Sequence, residues 1–447
     1  MDLDTRMEQV AVVGAAGKMG SGIALLLALE LAYRALGHKQ RTYVLSLIDR
    51  NDAALQGLVR YIRDQAAKDG EKQINRLRLL FQDRADLVDN QEMVQEFVFE
   101  VLLRIRTGTT LALAKESLLV FEAAFEQEEV KFSIYNELAS ICRPEAYFLT
   151  NTSSIPLHVL SEACGIPGRM IGFHFYNPPA VQKLVELIQP SRCDPELVQV
   201  AAGVARALRK KTVPANDIAG FIGNGHFIRD GLYAIREVER LAGKHGFLPA
   251  LHMVEQVSRD FLLRPMGIFQ LIDYVGIDVF QSILRVMKKY LGEDLHSDLI
   301  DRTLELGVKG GQTSSGAPRP GFLDYAKGRP VAIFDPASHV YAPLEAPWAR
   351  SAESWLGPRP DPGLSWKTLQ RDPHCDGKLK AWFQALQALD TPGAAMARDH
   401  FRASREIGLN LVKQGVCNTA EDVNEVLKLG FFHLYGPISD YLAEDLR

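Results

Sequence analysis

The chain has 447 residues, 47% of them hydrophobic and 24% charged, with a formal net charge of -4. That length exceeds what one ordinary core supports, so two or three domains are expected. A mildly acidic composition without any basic block interleaved with aromatics excludes a nucleic-acid surface.

The first ten residues, MDLDTRMEQV, are acidic and polar and carry no signal-peptide pattern. Val10 to Val13 is a short β-branched run that enters Gly14-Ala-Ala-Gly17-Lys-Met19-Gly20, and a helical segment follows from Ser21 to about Leu36. Strand, glycine turn and helix are the context that gives a glycine motif meaning. Glycines at 14, 17 and 20 let the backbone turn tightly and approach a pyrophosphate, whose charge rests on free N–H groups at the helix start. The apolar run Ile23 to Leu29 is broken by Glu30 and Arg34 and is too short to span a bilayer, so no membrane is expected. The next strand, Tyr43 to Ile48, ends in Asp49, a carboxylate suited to both ribose hydroxyls of NAD and repulsive to the extra phosphate of NADP. Two features depart from the usual fingerprint. The spacing is GxxGxxG, and Asp49 comes later than the ~20 residues usual after it.

Residues 51–107 read as helical and charged, with Lys68 and Lys72 placed to meet a coenzyme A phosphate or simply to solvate a helix face. Ser117 to Phe121 reads as a buried strand, followed by a charged stretch holding Glu126 and Lys131. Tyr147 to Thr150 is a further strand and delivers Asn151-Thr-Ser-Ser154 to the same end of the sheet.

Ser153, His174 and Glu186 admit two chemistries. One is acyl transfer, with a serine nucleophile activated by histidine. The other is hydride transfer, in which histidine accepts an alcohol proton and the carboxylate orients its ring. Ser153 is not in a GxSxG elbow, and a dinucleotide fingerprint precedes it, which decides for hydride transfer.

Several motifs occur in order: Val13 to Ile23, Leu149 to Ser154, IGFHFYNP from Ile171 to Pro178, KLVE from Lys183 to Glu186, GFIGN from Gly220 to Asn224, and RPMG from Arg264 to Gly267 with DYVGID from Asp273 to Asp278. In this order they resemble the L-3-hydroxyacyl-CoA dehydrogenase family of fatty-acid β-oxidation, over roughly residues 8 to 325. The resemblance implies an NAD-dependent enzyme acting on an acyl-CoA, with His174 as general base paired with Glu186, and Ser153 and Asn224 beside the reacting oxygen. It further implies cofactor contacts at Gly14, Gly17, Met19, Gly20, Asp49, Glu126, Lys131, Ser153 and Asn177, and no metal. A dehydrogenase of a small hydroxy acid on the same fold, and a non-catalytic NAD- or CoA-binding subunit, are the competing readings. Three positions depart from the family pattern. Ala219 replaces a proline, Gly223 and Gly225 flank Asn224 and are expected to loosen it, and Gln312 replaces a lysine in an enlarged turn over 307–322.

Helical patterns follow at Glu196 to Leu208, Asn224 to Ala242, Leu251 to Leu263 and Ile268 to Leu291, indicating a separate α-helical domain. Met253 to Gly267 is echoed, with one gap, by Val423 to Gly436, and a similar helix from Ala403 to Gly415 precedes the echo. The expected organisation is a Rossmann-type NAD-binding domain over 1–192 and a helical domain over 193–330. A Pro/Trp-rich ordered linker over 331–379 and a second, divergent helical unit over 380–447 complete it. Such a duplication makes the chain a pseudo-dimeric monomer. Five scattered cysteines (Cys142, Cys164, Cys193, Cys375, Cys417) without a CxxC pair fit a reduced, cytoplasmic protein.

Overall fold

The computed structural model describes residues 1–313 and 316–442. Ser314 and Ser315 of the enlarged turn, and residues 443–447 of the expected second helical unit, lie outside the described residues. The chain forms two compact units, Met1–Asp217 and Ile218–Arg447.

The first unit is built on eight strands: β1 (Gln9–Val13), β2 (Val44–Ile48), β3 (Ile105–Gly108), β4 (Leu119–Glu122), β5 (Tyr147–Thr150), β6 (Met170–Phe175), β7 (Leu184–Gln189) and β8 (Lys211–Asn216). Their order in the sheet is β3-β2-β1-β4-β5-β6-β7-β8. Pairing is parallel from β3 to β6; β7 then runs antiparallel to β6, and β8 parallel to β7. The central strands are apolar on both faces because helices cover both. These helices are α1 (Leu3–Met7), α2 (Lys18–Gly37), α3 (Asp52–Lys72), α4 (Ile74–Leu80), α5 (Asn90–Leu103), α6 (Glu128–Ile141), α7 (Leu157–Ala163) and α8 (Pro195–Ala207). By length and composition α2 passes for a membrane span, but its apolar residues lie in the core against β1 and β2. The chain leaves β1 for β2 on one side and reaches β4 on the other, so a crevice opens at their carboxyl ends, where such sheets bind ligands.

Two boundaries differ from expectation. β3 lies in a stretch read as wholly helical; it is a four-residue edge strand whose residues are only partly covered, so it leaves little hydrophobic signature. The first unit also runs past residue 192 to Asp217, because α8 packs on the sheet and β8 adds its last strand. Pro214 stands in that edge strand, where a missing N–H costs no ladder bond.

The second unit holds α9 (Gly223–His245), α10 (Phe247–Gln256), α11 (Ile268–Val275), α12 (Ile277–Leu291) and α13 (Asp298–Glu305). Gly276, with φ 114, divides what reads in the sequence as one helix from 268 to 291. An antiparallel sheet of β9 (Leu323–Ala326), β10 (Arg329–Asp335) and β11 (Val340–Pro343) follows, then α14 (Pro347–Leu356), α15 (Trp366–Leu369), α16 (Cys375–Ala388), α17 (Pro392–Lys413) and α18 (Ala420–Gly430). The expected linker is therefore folded structure. Trp348 and Trp355 pack on the second core, and the Trp366 indole donates to the Phe432 carbonyl at 2.7 Å.

Helices α9 and α17 end alike, at Gly246 (φ 83) and Gly415 (φ 73). At the same separation along the chain, Leu263 and Phe432 both take positive φ, 51 and 57. In the first stretch Glu255 Oε2 accepts from the Phe269 amide at 2.9 Å; in the second, Asn424 Oδ1 accepts from the Ile438 amide at 3.0 Å. A Cβ on Gly267 or on Gly436 would strike the Glu255 or the Asn424 side chain, respectively. This correspondence runs without the gap read in the sequence. A buried polar seam joins α9 to α17: Asp230 accepts from Arg264 at 2.7 Å and lies 3.0 Å from His400, while His226 meets Ser404. Gly223 and Gly225 lie inside the first turn of α9. A Cβ on Gly225 would stand 3.1 Å from Leu411, so the small residue admits a neighbouring helix, and the Gly225 amide donates to the Gly220 carbonyl at 2.8 Å.

Candidate active site

Except for Lys131 on α6, Met19 and Gly20 in the first turn of α2, and Glu186 on β7, the candidates of the first unit stand at the carboxyl ends of β1, β2, β4, β5 or β6, or in the loops that follow them. Gly14, after β1, has φ 74, and a Cβ there would lie 2.7 Å from the Ala123 carbonyl. A Cβ on Gly20 would lie 1.9 Å from the Gly14 carbonyl, so only glycine lets α2 start against its own loop. Gly17 caps α2 without a side-chain hydrogen bond, and no acidic residue occupies the first turn. The helix start is thus a cradle of N–H groups with a positive dipole end. Asp49, just past the end of β2, accepts from the Ala16 amide at 3.1 Å and so ties its carboxylate to the same loop. Met19 packs against the first core beneath the loop. This donor set fits an NAD pyrophosphate and ribose.

The next group is a network that the sequence shows only in part. Glu122, the last residue of β4, is fully buried and accepts from Lys131 Nζ at 2.7 Å, Thr150 Oγ1 at 2.6 Å and Tyr135 Oη at 3.0 Å. Lys131 also pairs with Glu126 at 3.4 Å. Burial opposes its charge, but the two carboxylates hold its ammonium above the usual range. Glu126 Oε1 in turn accepts from Thr152 Oγ1 at 2.7 Å and from the Ser153 and Ser154 amides at 2.8 and 3.0 Å. Burial would raise this carboxyl; Lys131 and the turn's donors bring it below its usual range. Lys131 itself is 0% exposed, so it acts on the Thr152–Ser154 turn through the two glutamates and not from an open position. Glu122, Tyr135 and Thr152 were not among the expected residues. Their signal was an acidic residue closing an apolar strand, with Lys131 and Tyr135 one helical turn apart on α6.

His174 and Glu186 are partners across the antiparallel β6–β7 pair. His174 Nδ1 lies 3.3 Å from Glu186 Oε1, the glutamate fully buried and the histidine nearly so. Neighbouring Phe173 and Phe175 point to the opposite face, into the first core, which fixes the strand and hence the histidine. The Asn151 side chain accepts from the Phe175 amide at 2.8 Å, binding the β5 turn to this strand. Asn177 follows in the next loop, half-buried, its carbonyl accepting from Gln182 at 3.5 Å. Asn224 stands in the first turn of α9, in the second unit.

The chain matches the family description "3-hydroxyacyl-CoA dehydrogenase, NAD binding domain" over residues 9–218 and its "C-terminal domain" over residues 220–319. It is 30% identical to the human mitochondrial hydroxyacyl-coenzyme A dehydrogenase, over 62% of this chain and 79% of that protein. It is 27% identical to a probable 3-hydroxybutyryl-CoA dehydrogenase of Deinococcus radiodurans, over 68% of this chain and 97% of the relative. The solved 3-hydroxybutyryl-CoA dehydrogenase of Escherichia coli shares the fold over 98% of this chain and 92% of its own, with a TM-score of 0.63 at 20% identity. With its glycine cradle, Asp49 and the paired His174 and Glu186 on a doubly wound sheet, the chain belongs to the 3-hydroxyacyl-CoA dehydrogenase family and is an NAD-dependent dehydrogenase.

Proposed function

We propose that the protein oxidises the 3-hydroxyl of an L-3-hydroxyacyl-CoA to the 3-ketone, as a step of fatty-acid β-oxidation in the cytoplasm. The observation that carries this reading is the His174–Glu186 pair on the strand beside the Thr152–Ser154 turn. With Nδ1 directed at Glu186, the imidazole presents Nε2 as the base that takes the hydroxyl proton. The imidazolium so formed stands against a buried carboxylate, which stabilises it. When bound, the nicotinamide ring accepts the hydride from C3. Ser153 hydrogen-bonds the reacting oxygen as it becomes a carbonyl.

The acyl-CoA half of the reading rests on a cavity of about 500 Å³ whose lining includes Tyr61, Lys68, Lys72, Lys183, Arg209 and Lys210. Its cationic chemistry suits the coenzyme A phosphates. Lys210 within it donates to the Pro179 and Gln182 carbonyls, both at 2.6 Å, and so braces the loop that follows the histidine. We also read α16 to α18 as a second, divergent copy of the helical unit, supported by the matched glycines and positive-φ residues, which makes the chain a pseudo-dimeric monomer. NADH oxidation with 3-ketoacyl-CoA substrates of increasing chain length tests the main reading. Turnover on at least one member of the series, and none on the free 3-keto acids, is expected; no turnover on any thioester would overturn it.

A further inference from the structure

Glu186 receives a second donor that the catalytic pair alone does not call for. Tyr176 lies two residues beyond His174, one residue past the end of β6, and its side chain falls on the His174 side, where both reach Glu186 on β7. The Tyr176 hydroxyl donates to Glu186 Oε1, the same oxygen that faces His174 Nδ1. The two rings lie 5.0 Å apart, tilted by 42°, and Tyr176 is buried. One carboxylate oxygen is therefore shared between the imidazole and the phenol.

On β8 the residue paired with Glu186 is Val213. Helix α7, which packs on β6, buries Leu157 and Leu160, while its His158 pairs with Asp217. Across β5, Glu126 of the neighbouring network is occupied by Lys131 and the turn's own donors. Burial and the Glu186 charge hold the Tyr176 phenol far above its ordinary range, so it keeps its proton and only donates.

Building on the reading of His174 as the base, we propose that Tyr176 is a positioning residue that sets the strength of the His174–Glu186 couple. Its hydrogen bond does two things. It fixes the carboxylate rotamer against the imidazole, and it draws charge from the oxygen that would otherwise be spent wholly on the imidazolium. A weaker carboxylate stabilises the protonated ring less, so the base returns to its proton-accepting form at lower pH. The phenol thus widens the pH range in which the oxidation runs.

The test is the pH dependence of kcat/KM for hydroxyacyl-CoA oxidation by the full chain. Tyr176→Phe removes only the hydroxyl; it is expected to move the acidic limb of the profile up by roughly 0.5–1 pH unit. KM for NAD should stay within about twofold, since the phenol does not face the cofactor cradle. Replacing Tyr176 with 3-fluorotyrosine, nearly the same size and a stronger donor, is expected to move the limb down. If Tyr176→Phe does not fold, the fluorinated protein carries the test alone. Profiles superimposable on wild type in the folded variants would overturn the proposal. His174→Ala separates the two levels: an inactive His174→Ala with unmoved Tyr176 variants sinks only the role of Tyr176. A fully active His174→Ala sinks the reading beneath it.

Discussion

Both units bury carboxylates against cations, and the two burials do different work. In the first, Glu122, Lys131 and Glu126 are stacked at the carboxyl ends of β4 and β5, and the chain of bonds ends in the Thr152–Ser154 turn, whose Ser153 is partly exposed. In the second, Asp230, Arg264, His400 and Ser404 close on one another between α9 and α17. Desolvation is severe in both places, and each ion survives only because its partners are in place. What separates a site from a seam is where the network stops. One stops at a ligand-facing turn; the other stops at a helix packed against its neighbour.

The comparison breaks most easily at the seam. Asp230→Ala leaves Arg264 and His400 buried without their carboxylate and is expected to cost about 3–5 kcal/mol in urea unfolding. NADH affinity, read by fluorescence titration of the folded protein, should not change. The matching change in the first unit, Lys131→Met, is expected to destabilise by about 3 kcal/mol and to weaken NADH binding roughly tenfold or more, because Glu122 and Glu126 then repel and release the turn. Should both variants affect affinity equally, the distinction between site and seam fails. Gly20→Ala probes the cradle without touching a charge. Its Cβ has no room against the Gly14 carbonyl, so a loss of about 1–3 kcal/mol and a several-fold rise in the NADH dissociation constant are expected.

The smallest effect is the contribution of the seam's His226 to the pH dependence of stability. Burial holds the His226 imidazole down to about 4, with Asp230 pulling the other way. The unfolded chain therefore binds this proton more readily than the folded one. The stability His226 contributes is complete above its unfolded value and is lost as pH falls toward the folded value. Between pH 7 and pH 5, urea unfolding should show His226→Gln gaining about 1–2 kcal/mol relative to wild type, a difference that isolates His226 from the buried Glu255 and Asp273, whose raised pKa values act in the opposite direction.

The site was more legible in the sequence than the boundaries were. A glycine turn must follow a strand and open a helix to hold a pyrophosphate, so Gly14, Gly17 and Gly20 announce themselves by local order alone. His174 and Glu186 stand out through the HFYNP and KLVE motifs, since both of their strands are buried on both faces and show no alternation. Glu122 and Tyr135 were harder, since their partners come from other elements and no local pattern records a contact made across the fold. β3 and β8 escaped because edge strands bury little and so carry a weak hydrophobic signature. Residues 331–379 read as an ordered linker, its prolines signalling irregularity and its tryptophans a need for burial; the fold meets that need by packing Trp348 and Trp355 on the second core.

The central claim is that the first unit supplies the base for hydride transfer from within a rim that also holds the cofactor. Measuring NADH affinity and NADH oxidation by 3-ketoacyl-CoA in one preparation of His174→Ala tests it most directly. The expected result is wild-type affinity with turnover lowered by about 10²–10⁴-fold. Wild-type turnover in that variant would contradict the claim.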